Sequence, residues 1–193
     1  QDVGRILSTL KELEIDDNTI VMFSSDNGPH QEGRHKMEFF DSNGPLRGMK
    51  RDLYEGGIRV PFIARWPGSV PAKKINHHIS GFQDMFPTLL ELAQIELEHE
   101  VDGISMVPTL LGKKGQRKHD YLYWEFGERG GATAVLKGDW KGVRRNTRKN
   151  PNGPIEIYNL KNDLAETTNL AENQKALVAE FNAVLKREHV SQE

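Results

Sequence analysis

The sequence predicts an α/β protein, on the evidence of two adjacent patterns near its start and a third in its second half. An amphipathic stripe opens the chain and precedes the short apolar run TIVMFS; the stripe consists of Val3, Ile6, Leu7, Leu10 and Leu13. A helix, a tight loop and a β-branched apolar strand are the usual alternation of an α/β domain. Beyond about residue 118, short aromatic and β-branched runs separated by Gly, Asn and Pro predict a small antiparallel sheet.

Size and composition indicate an ordinary globular chain. Its 193 residues are enough for one good core, and 36% hydrophobic with 28% charged residues is a globular balance. A formal net charge of -2 gives no overall attraction to nucleic acid or to a membrane surface, so neither is expected as a partner. No apolar run reaches the roughly 18 residues that span a bilayer. Cysteine is absent, which excludes disulfides and thiolate metal ligands.

The middle of the chain alternates irregular and regular segments. TIVMFS reads as a strand covered on both faces, whereas residues 25–57 are rich in Gly, Pro and charge, and so long a loop is usually functional or disordered. A second strand is predicted from Ile58 to Arg65, with Pro61 indicating an edge or a bulge. SGFQDMFPTLLELAQI predicts a helix with Asp84 at its N-cap.

The last third predicts four strands and a closing helix. The strands are HDYLYWEF, GATAVLKGD, WKGVRRN and PIEIYNL, and the helix is ENQKALVAEFNAVLKREH, with Leu177, Phe181 and Leu185 on one side. The change of style places a boundary near residue 111.

Asp26 and Asn27 are the first candidates for chemistry, because they follow an apolar strand directly. Asn27-Gly28 is also a strong signal for a hairpin turn, so a plain turn is one interpretation. The following PHQEGRHKMEFF does not alternate like a second strand, however. Ligands of α/β sheets lie at the carboxyl ends of strands, and a carboxylate beside an amide oxygen suits Ca²⁺ or Mg²⁺. A metal site is the other interpretation.

The segment GPLRGMKRDLYEGGIRVP, residues 44–61, is the second candidate. Interleaved glycines and bases suit the binding of phosphate or sulfate, while a glycine-rich loop with solvated bases is the alternative. It is not a P-loop, because Met49 stands where the second glycine belongs and Arg51 where Ser or Thr belongs. Only Lys50 fits that pattern.

Together these segments resemble the C-terminal half of a type I sulfatase, of the alkaline-phosphatase-like superfamily. The resemblance rests on SSDNGPHQEG, FFDSNGPLRGMKRDLYEGGIRVPFIARWPG, DMFPTLLELA and DGISMVPTLLG, and it covers nearly the whole chain. It implies that residues 1–110 are the C-terminal part of a mixed catalytic sheet with flanking helices. Residues 111–193 would then be a small subdomain, a four-stranded antiparallel sheet with a C-terminal helix.

The resemblance also implies roles for particular residues. Asp26 and Asn27 would be ligands of Ca²⁺, with Mg²⁺ as an alternative, and Lys50 would contact the sulfate as a catalytic and substrate-binding residue. A divalent cation and an ammonium would stabilise the charge that develops on sulfate oxygens. His30, just past the metal pair, is a candidate for the substrate pocket, whereas an exposed or structural histidine is the alternative for both His30 and His35.

Other parts of the family pattern are missing. Family members carry a Cys or Ser in C/S-x-P-x-R that becomes the formylglycine nucleophile, together with further N-terminal metal ligands. Here Cys is absent, and SVPAK, from Ser69, lacks the arginine. The expectation is therefore that the chain is a fragment, inactive alone, with the nucleophile in a missing N-terminal part.

The basic stretch LKGDWKGVRRNTRK, residues 136–149, holds six bases and one acid. A solvated face is the simplest interpretation. The resemblance raises another, in which Trp140 stacks on a sugar ring and Arg144 or Arg145 pairs with a second sulfate. The later LKNDLAETTNL matches a family turn, so Asp163, Glu166 and Asn169 are expected to be structural.

The expected parent function is hydrolysis of a sulfate monoester of a saccharide or aryl alcohol. By resemblance the protein would be periplasmic or secreted, and its partner a sulfated small molecule or glycan. One alternative is a phosphodiesterase or phosphonate hydrolase of the same superfamily, which prefers transition-metal pairs. Another is a noncatalytic domain that only binds sulfated glycans.

Overall fold

The computed structural model describes residues 1–190 and confirms the α/β class. Its helices are α1 (Asp2–Glu12), α2 (Met37–Phe40), α3 (Glu55–Ile58), α4 (Met85–Leu92), α5 (Val107–Leu110) and α6 (Lys175–Glu188). Its strands are β1 (Val21–Ser24), β2 (Phe62–Arg65), β3 (Leu122–Phe126), β4 (Ala132–Lys137), β5 (Trp140–Arg145) and β6 (Ile155–Asn159). Within this part of the chain, no helix is long and apolar enough to cross a membrane.

The chain divides into two compact units that alternate along the sequence. The first comprises residues 1–24 and 61–119, and the second comprises residues 25–60 together with the chain from Asp120 onward. The loop that carries the predicted metal and sulfate residues thus belongs to the same unit as the late antiparallel sheet. A subdomain boundary near residue 111 stays a prediction.

In the first unit, β1 and β2 form an antiparallel pair in which Val21 faces Arg65 and Ser24 faces Phe62. The prediction that β1 is covered on both faces is wrong for this structure, since Phe23 is 49% exposed. A two-stranded pair alone provides no neighbouring layer for such a side chain. The second strand starts after Pro61, as expected of a residue that cannot donate to a sheet.

The helix predicted around Asp84 is α4, and Asp84 stands at its N-cap position. The carboxylate is fully buried and accepts main-chain N–H bonds from Gly81 and Ile104 at 2.9 and 2.7 Å. His119 Nε2 lies 2.7 Å from the same carboxylate. Asp84 thus ties separate segments of the first unit together instead of capping its own helix.

In the second unit, β3 to β6 form the predicted four-stranded antiparallel sheet in sequence order. Helix α6 covers one face, where Phe181 and Leu185 pack with Val135 and Ile157. A Cβ at Gly142 would lie 2.5 Å from the Phe181 ring, so only glycine lets the helix approach the sheet this closely. The other face packs a separate cluster, which includes Leu53, Tyr54, Leu122, Ala134, Val143 and Tyr158.

Two short helices, α2 and α3, lie in the segment that was predicted to be irregular. Residues Glu55–Ile58 form a single helical turn, α3, so Ile58 ends a helix and does not begin the second strand. Two of its four residues are glycines, which have poor intrinsic helix propensity, so the turn owes its form to contacts from the rest of the unit.

Candidate functional site

The loop after β1 presents two oxygen-bearing side chains next to each other. Asp26 is exposed and Asn27 is half-buried. Ser25 Oγ donates to the Asn27 carbonyl at 2.8 Å, which fixes the turn of the main chain. Within residues 1–190, neither the Asp26 carboxylate nor the Asn27 amide is taken up by a hydrogen bond or ion pair. Both remain available as hard oxygen ligands.

Main-chain hydrogen bonds join this loop to the glycine-rich segment. Gly28 N–H donates to the Gly57 carbonyl at 2.9 Å, and Lys50 N–H donates to the Pro29 carbonyl at 2.8 Å. A Cβ at Gly28 would lie only 1.8 Å from the Gly56 carbonyl oxygen. The two candidate segments of the sequence are therefore in direct contact.

Lys50 occupies a tight turn. Asp52 N–H donates to the Met49 carbonyl at 2.8 Å, so that Lys50 and Arg51 are the central residues of a β-turn. Arg51 has a φ of +78°, a conformation that favours glycine, and such backbone strain concentrates at functional sites. The turn presents two cationic side chains in succession.

Glu32 is the anionic partner of these cations. Its carboxylate bonds the Arg51 guanidinium and lies 3.9 Å from Lys50 Nζ. The hydrogen bond and charge of Arg51, assisted by Lys50, hold the pKa of Glu32 below its usual value. Glu32 is therefore an anion at neutral pH, and it lies beside the ammonium expected to meet sulfate.

The two histidines of the loop lie in a small group of rings. The His30 and His35 ring centroids are 5.7 Å apart, and His35 stacks on Phe40 at 5.0 Å. His30 Nδ1 accepts the N–H of Glu32 at 3.0 Å, which leaves Nε2 on the exposed side chain for other contacts. A substrate-pocket role for His30 stays a prediction.

The predicted basic edge of the sheet is only partly present. Arg144 is buried, 8% exposed, and its guanidinium donates to the carbonyls of Gly153 and Pro151 and to Asn182. The prediction that Arg144 pairs with sulfate is wrong, because its donors hold the sheet to α6 and the adjoining loop. The sequence shows that Arg144 is charged, but it does not show which side of the strand faces the helix α6.

Trp140 and Arg145 have different environments. Trp140 is half-buried against the α6 core cluster, on the same side of β5 as Arg144, whereas Arg145 is exposed and on the opposite side. The three side chains do not form one surface. The roles of Trp140 and Arg145 in substrate binding stay predictions.

A buried group of charges, which was not predicted from the sequence, includes Glu55 of the glycine-rich segment. Lys141 is fully buried, with Nζ 2.8 Å from Glu55 Oε1 and 3.1 Å from Glu166 Oε1. Glu166 also accepts the Glu55 N–H at 2.7 Å. We call Lys141, Glu55 and Glu166 the buried charge cluster. The one signal in the sequence was the position of Glu166 in the family turn.

Opposite pKa shifts distinguish the two carboxyl groups of the cluster. Burial acts to raise the pKa of Glu55, but Lys141 and Arg59 outweigh it and the pKa falls below its usual value. For Glu166 burial prevails over Lys141 and the bond from the Glu55 N–H, and its pKa is raised. One carboxyl group is thus held ionised, and the other is more easily protonated.

The turn before α6 is structural, as expected. Asp163 accepts main-chain N–H bonds from Thr167 and Thr168, and Asn169 accepts one from Ile157 at 3.0 Å. Its third matched residue, Glu166, joins the turn to the buried charge cluster.

Comparisons with known proteins identify the family of this chain. A family model described as Sulfatase matches residues 1–95. N-acetylgalactosamine-6-sulfatase of Canis lupus familiaris is 37% identical over 147 residues, which is 72% of this chain and 26% of the relative. The chain belongs to the sulfatase family.

A further relative and two solved structures extend the comparison. Steryl-sulfatase of Rattus norvegicus is 40% identical over 126 residues, 63% of this chain and 22% of the relative. The crystal structure of Ps i-CgsB with k-i-k-neocarrahexaose has a TM-score of 0.82 and 29% identity, over 96% of this chain and 39% of that one. BT4656, solved with its substrate D-glucosamine-2-N,6-O-disulfate, has a TM-score of 0.74 and 25% identity, with 96% and 38% covered. The chain thus spans about a quarter of the curated relatives and two fifths of the solved chains.

The donor set at the loop suits a hard divalent cation. It consists of a carboxylate and an amide oxygen, and residues 1–190 contain no cluster of three or more His, Cys, Asp or Glu that could hold a metal by themselves. Ca²⁺ takes six to eight oxygen ligands. Asp26 and Asn27 therefore fit as part of a ligand shell.

Proposed function

We propose that the protein containing this chain hydrolyses sulfate monoesters, with Asp26, Asn27 and Lys50 in one site. The observation that carries the proposal is the bond from Lys50 N–H to the Pro29 carbonyl, two residues past Asn27. It joins the main chains of the two segments that carry the oxygen ligands and the ammonium group, both in the second unit. Membership of the sulfatase family supplies the class of reaction.

In this proposal Asp26 and Asn27 hold a Ca²⁺ ion, with Mg²⁺ as an alternative, and other parts of the protein complete the ligand shell. The bound cation supplies charge stabilisation for the sulfate group. The nucleophile is a formylglycine outside this chain, since cysteine is absent and no C/S-x-P-x-R segment occurs.

Lys50 donates hydrogen bonds to a sulfate oxygen or to the leaving oxygen, where negative charge collects as the ester bond breaks. Nearby Glu32 and Arg51 shape this role. The Arg51 guanidinium bonds Glu32 more closely than Lys50 does, so Arg51 neutralises much of the negative charge of the Glu32 carboxylate. The Lys50 ammonium is then left to interact with the substrate anion.

The relatives favour a sulfated saccharide over an aryl sulfate as the substrate. One structural neighbour was solved with a neocarrahexaose and another with a disulfated glucosamine, and a curated relative acts on N-acetylgalactosamine 6-sulfate by its name. Steryl-sulfatase among the relatives keeps a nonsaccharide alcohol as the second candidate. A periplasmic or secreted location accompanies the saccharide proposal.

The substitution Asp26→Asn tests the metal role in the full-length protein. It keeps the size of the side chain and removes the charge that binds the cation. We expect Ca²⁺ affinity, measured by calorimetry, and kcat/KM on a sulfate ester to fall by about 100-fold. Asp41→Asn, an exposed acid of the same unit, is the matched control and should change neither quantity.

Three results would contradict the proposal. Unchanged Ca²⁺ affinity and turnover in Asp26→Asn would remove the metal role. Glycan binding without turnover, and indifferent to Asp26, would indicate a noncatalytic binding domain. Hydrolysis of phosphodiesters with a bound transition-metal pair would indicate the related phosphoryl enzymes.

A further inference from the structure

Lys141 is a fully buried charged residue that the proposed reaction does not use. It is the second residue of β5, and its ammonium contacts Glu55 at 2.8 Å and Glu166 at 3.1 Å. An ammonium in a protein interior needs such partners, because burial removes its hydration. The position of the Glu55 side chain is therefore tied to a central strand of the sheet.

Both carboxylate oxygens of Glu55 and its main-chain N–H have hydrogen-bond or ion-pair partners. One carboxylate oxygen contacts Lys141, the other accepts from Arg59, and its N–H donates to Glu166. The low pKa of Glu55 agrees with a carboxylate kept ionised by two cations. Glu55 is the first residue of α3, so its position determines the positions of Gly56 and Gly57, which follow it.

Those two glycines bear directly on the loop of the proposed site. The Gly57 carbonyl accepts the Gly28 N–H at 2.9 Å, and a Cβ at Gly28 would meet the Gly56 carbonyl at 1.8 Å. Such close packing leaves the main chain of Gly28 little freedom to move independently of Gly56. Asp26 and Asn27 immediately precede it.

The segment that leads to Lys50 is also bonded to α3. Gly56 N–H donates to the Arg47 carbonyl at 2.7 Å, three residues before Lys50. The Arg47 guanidinium stacks over the Tyr54 ring at 3.9 Å and donates to the Glu166 carbonyl at 2.9 Å. Both halves of the proposed site are thus bonded to residues that flank Glu55.

We propose that Lys141 is a positioning residue for the metal and sulfate site, acting through Glu55 and the two glycines that follow it. This inference rests on the proposed function for its catalytic consequence. The main-chain geometry that it explains is independent of that function. We call the loop that carries Asp26 and Asn27 the ligand loop. In this proposal Lys141 holds the ligand loop and the Lys50 turn in register, and it touches neither substrate nor metal.

The direct test is amide hydrogen exchange on the full-length, metal-free protein. Lys141→Met removes the charge with a side chain of similar length, and Phe181→Leu weakens the opposite face of the same sheet. In Lys141→Met we expect exchange in peptides covering residues 25–30 and 47–57 to quicken about tenfold, which corresponds to a loss of about 1.4 kcal/mol in the free energy of local opening. In Phe181→Leu these peptides should exchange as in the wild type. Equal exchange in Lys141→Met and the wild type overturns the proposal, as does equal acceleration by Phe181→Leu.

Calcium affinity and kinetics then test the link to function. Lys141→Met should weaken Ca²⁺ binding and lower kcat, while Lys141→Arg, which keeps the charge, should recover part of both. If Lys141→Met does not fold, Glu55→Gln replaces it. We expect the same acceleration of exchange in Glu55→Gln, and exchange equal to that of the wild type would overturn the proposal. If exchange quickens as expected but the wild type binds no Ca²⁺, the proposed function fails and the positioning role stands.

Discussion

Glu166 is a buried carboxyl group on which burial, a cation and a main-chain donor act together. Burial raises its pKa above the usual 4.5, against the opposing effects of Lys141 and the Glu55 N–H. The folded state therefore holds this proton more tightly than the unfolded state does. As pH rises above 4.5, ionisation of Glu166 costs the folded state stability, by about 1.4 kcal/mol for each unit of pKa difference.

The substitution Glu166→Gln removes this titration while keeping an oxygen that can accept the Glu55 N–H. We expect the thermal midpoint of Glu166→Gln, relative to the wild type, to rise between pH 4 and pH 7 in parallel unfolding scans. Glu172→Gln, an exposed neighbour in sequence, is the control and should track the wild type at every pH. A relative midpoint that stays flat or falls across this range would mean that Glu166 is not the titrating group.

Individual residues were predicted best where a motif specified their neighbours. Asp163 and Asn169 were expected to stabilise a turn, and they do so through main-chain N–H groups. Arg144 and Lys141 were counted as surface bases, yet both are buried on opposite sides of β5. Lys141 pairs with carboxylates that are distant in sequence, and Arg144 donates to carbonyl and amide oxygens, so a local pattern of charge could not reveal the partners of either residue.

At the scale of elements, periodicity in the sequence predicted those strands and helices that are stabilised by burying one apolar side. The four strands and α6 were identified because one side of each carries the apolar residues that pack the core. Helix α3 was not identified, because its sequence EGGI has little helix propensity. Its glycines serve close approach: a Cβ at Gly57 would lie 2.0 Å from the Asp52 carbonyl. Long-range main-chain contacts, invisible in local sequence, define this turn.

The contact between the ligand loop and α3 predicts a sharp effect of one methyl group. Gly28→Ala would place a Cβ 1.8 Å from the Gly56 carbonyl oxygen, so the two segments must separate. We expect a loss of about 1–3 kcal/mol in the free energy of unfolding, typical of overpacking, together with weaker Ca²⁺ binding. Gly127→Ala is the matched control, because its Cβ would meet only a flexible Arg148 side chain at 3.6 Å. Denaturant unfolding of both variants measures the difference, and equal stability would disprove the close contact.

At the scale of the whole molecule, the two units differ in how well they bury apolar residues. The second unit encloses two clusters on the two faces of its sheet. In the first unit, α1 buries none of its side chains, and Phe62 and Ile63 of β2 are 41% and 60% exposed. Solved neighbours match 96% of this chain with about two fifths of their own length. The exposed large apolar side chains of the described residues are therefore concentrated in the first unit, β1 included.

The catalytic groups that this 193-residue chain carries lead to the prediction that, produced alone, it does not hydrolyse sulfate esters. It carries a proposed anion-binding lysine and two proposed metal ligands, but no C/S-x-P-x-R segment from which a formylglycine could arise. Two ligands of the six to eight that Ca²⁺ takes also give weak binding. The measurement is release of 4-nitrophenol from its sulfate ester, with and without Ca²⁺, beside the full-length protein at equal concentration. Clear turnover by the isolated chain, at a rate that depends on Lys50, would place the nucleophile among these residues and require a different mechanism.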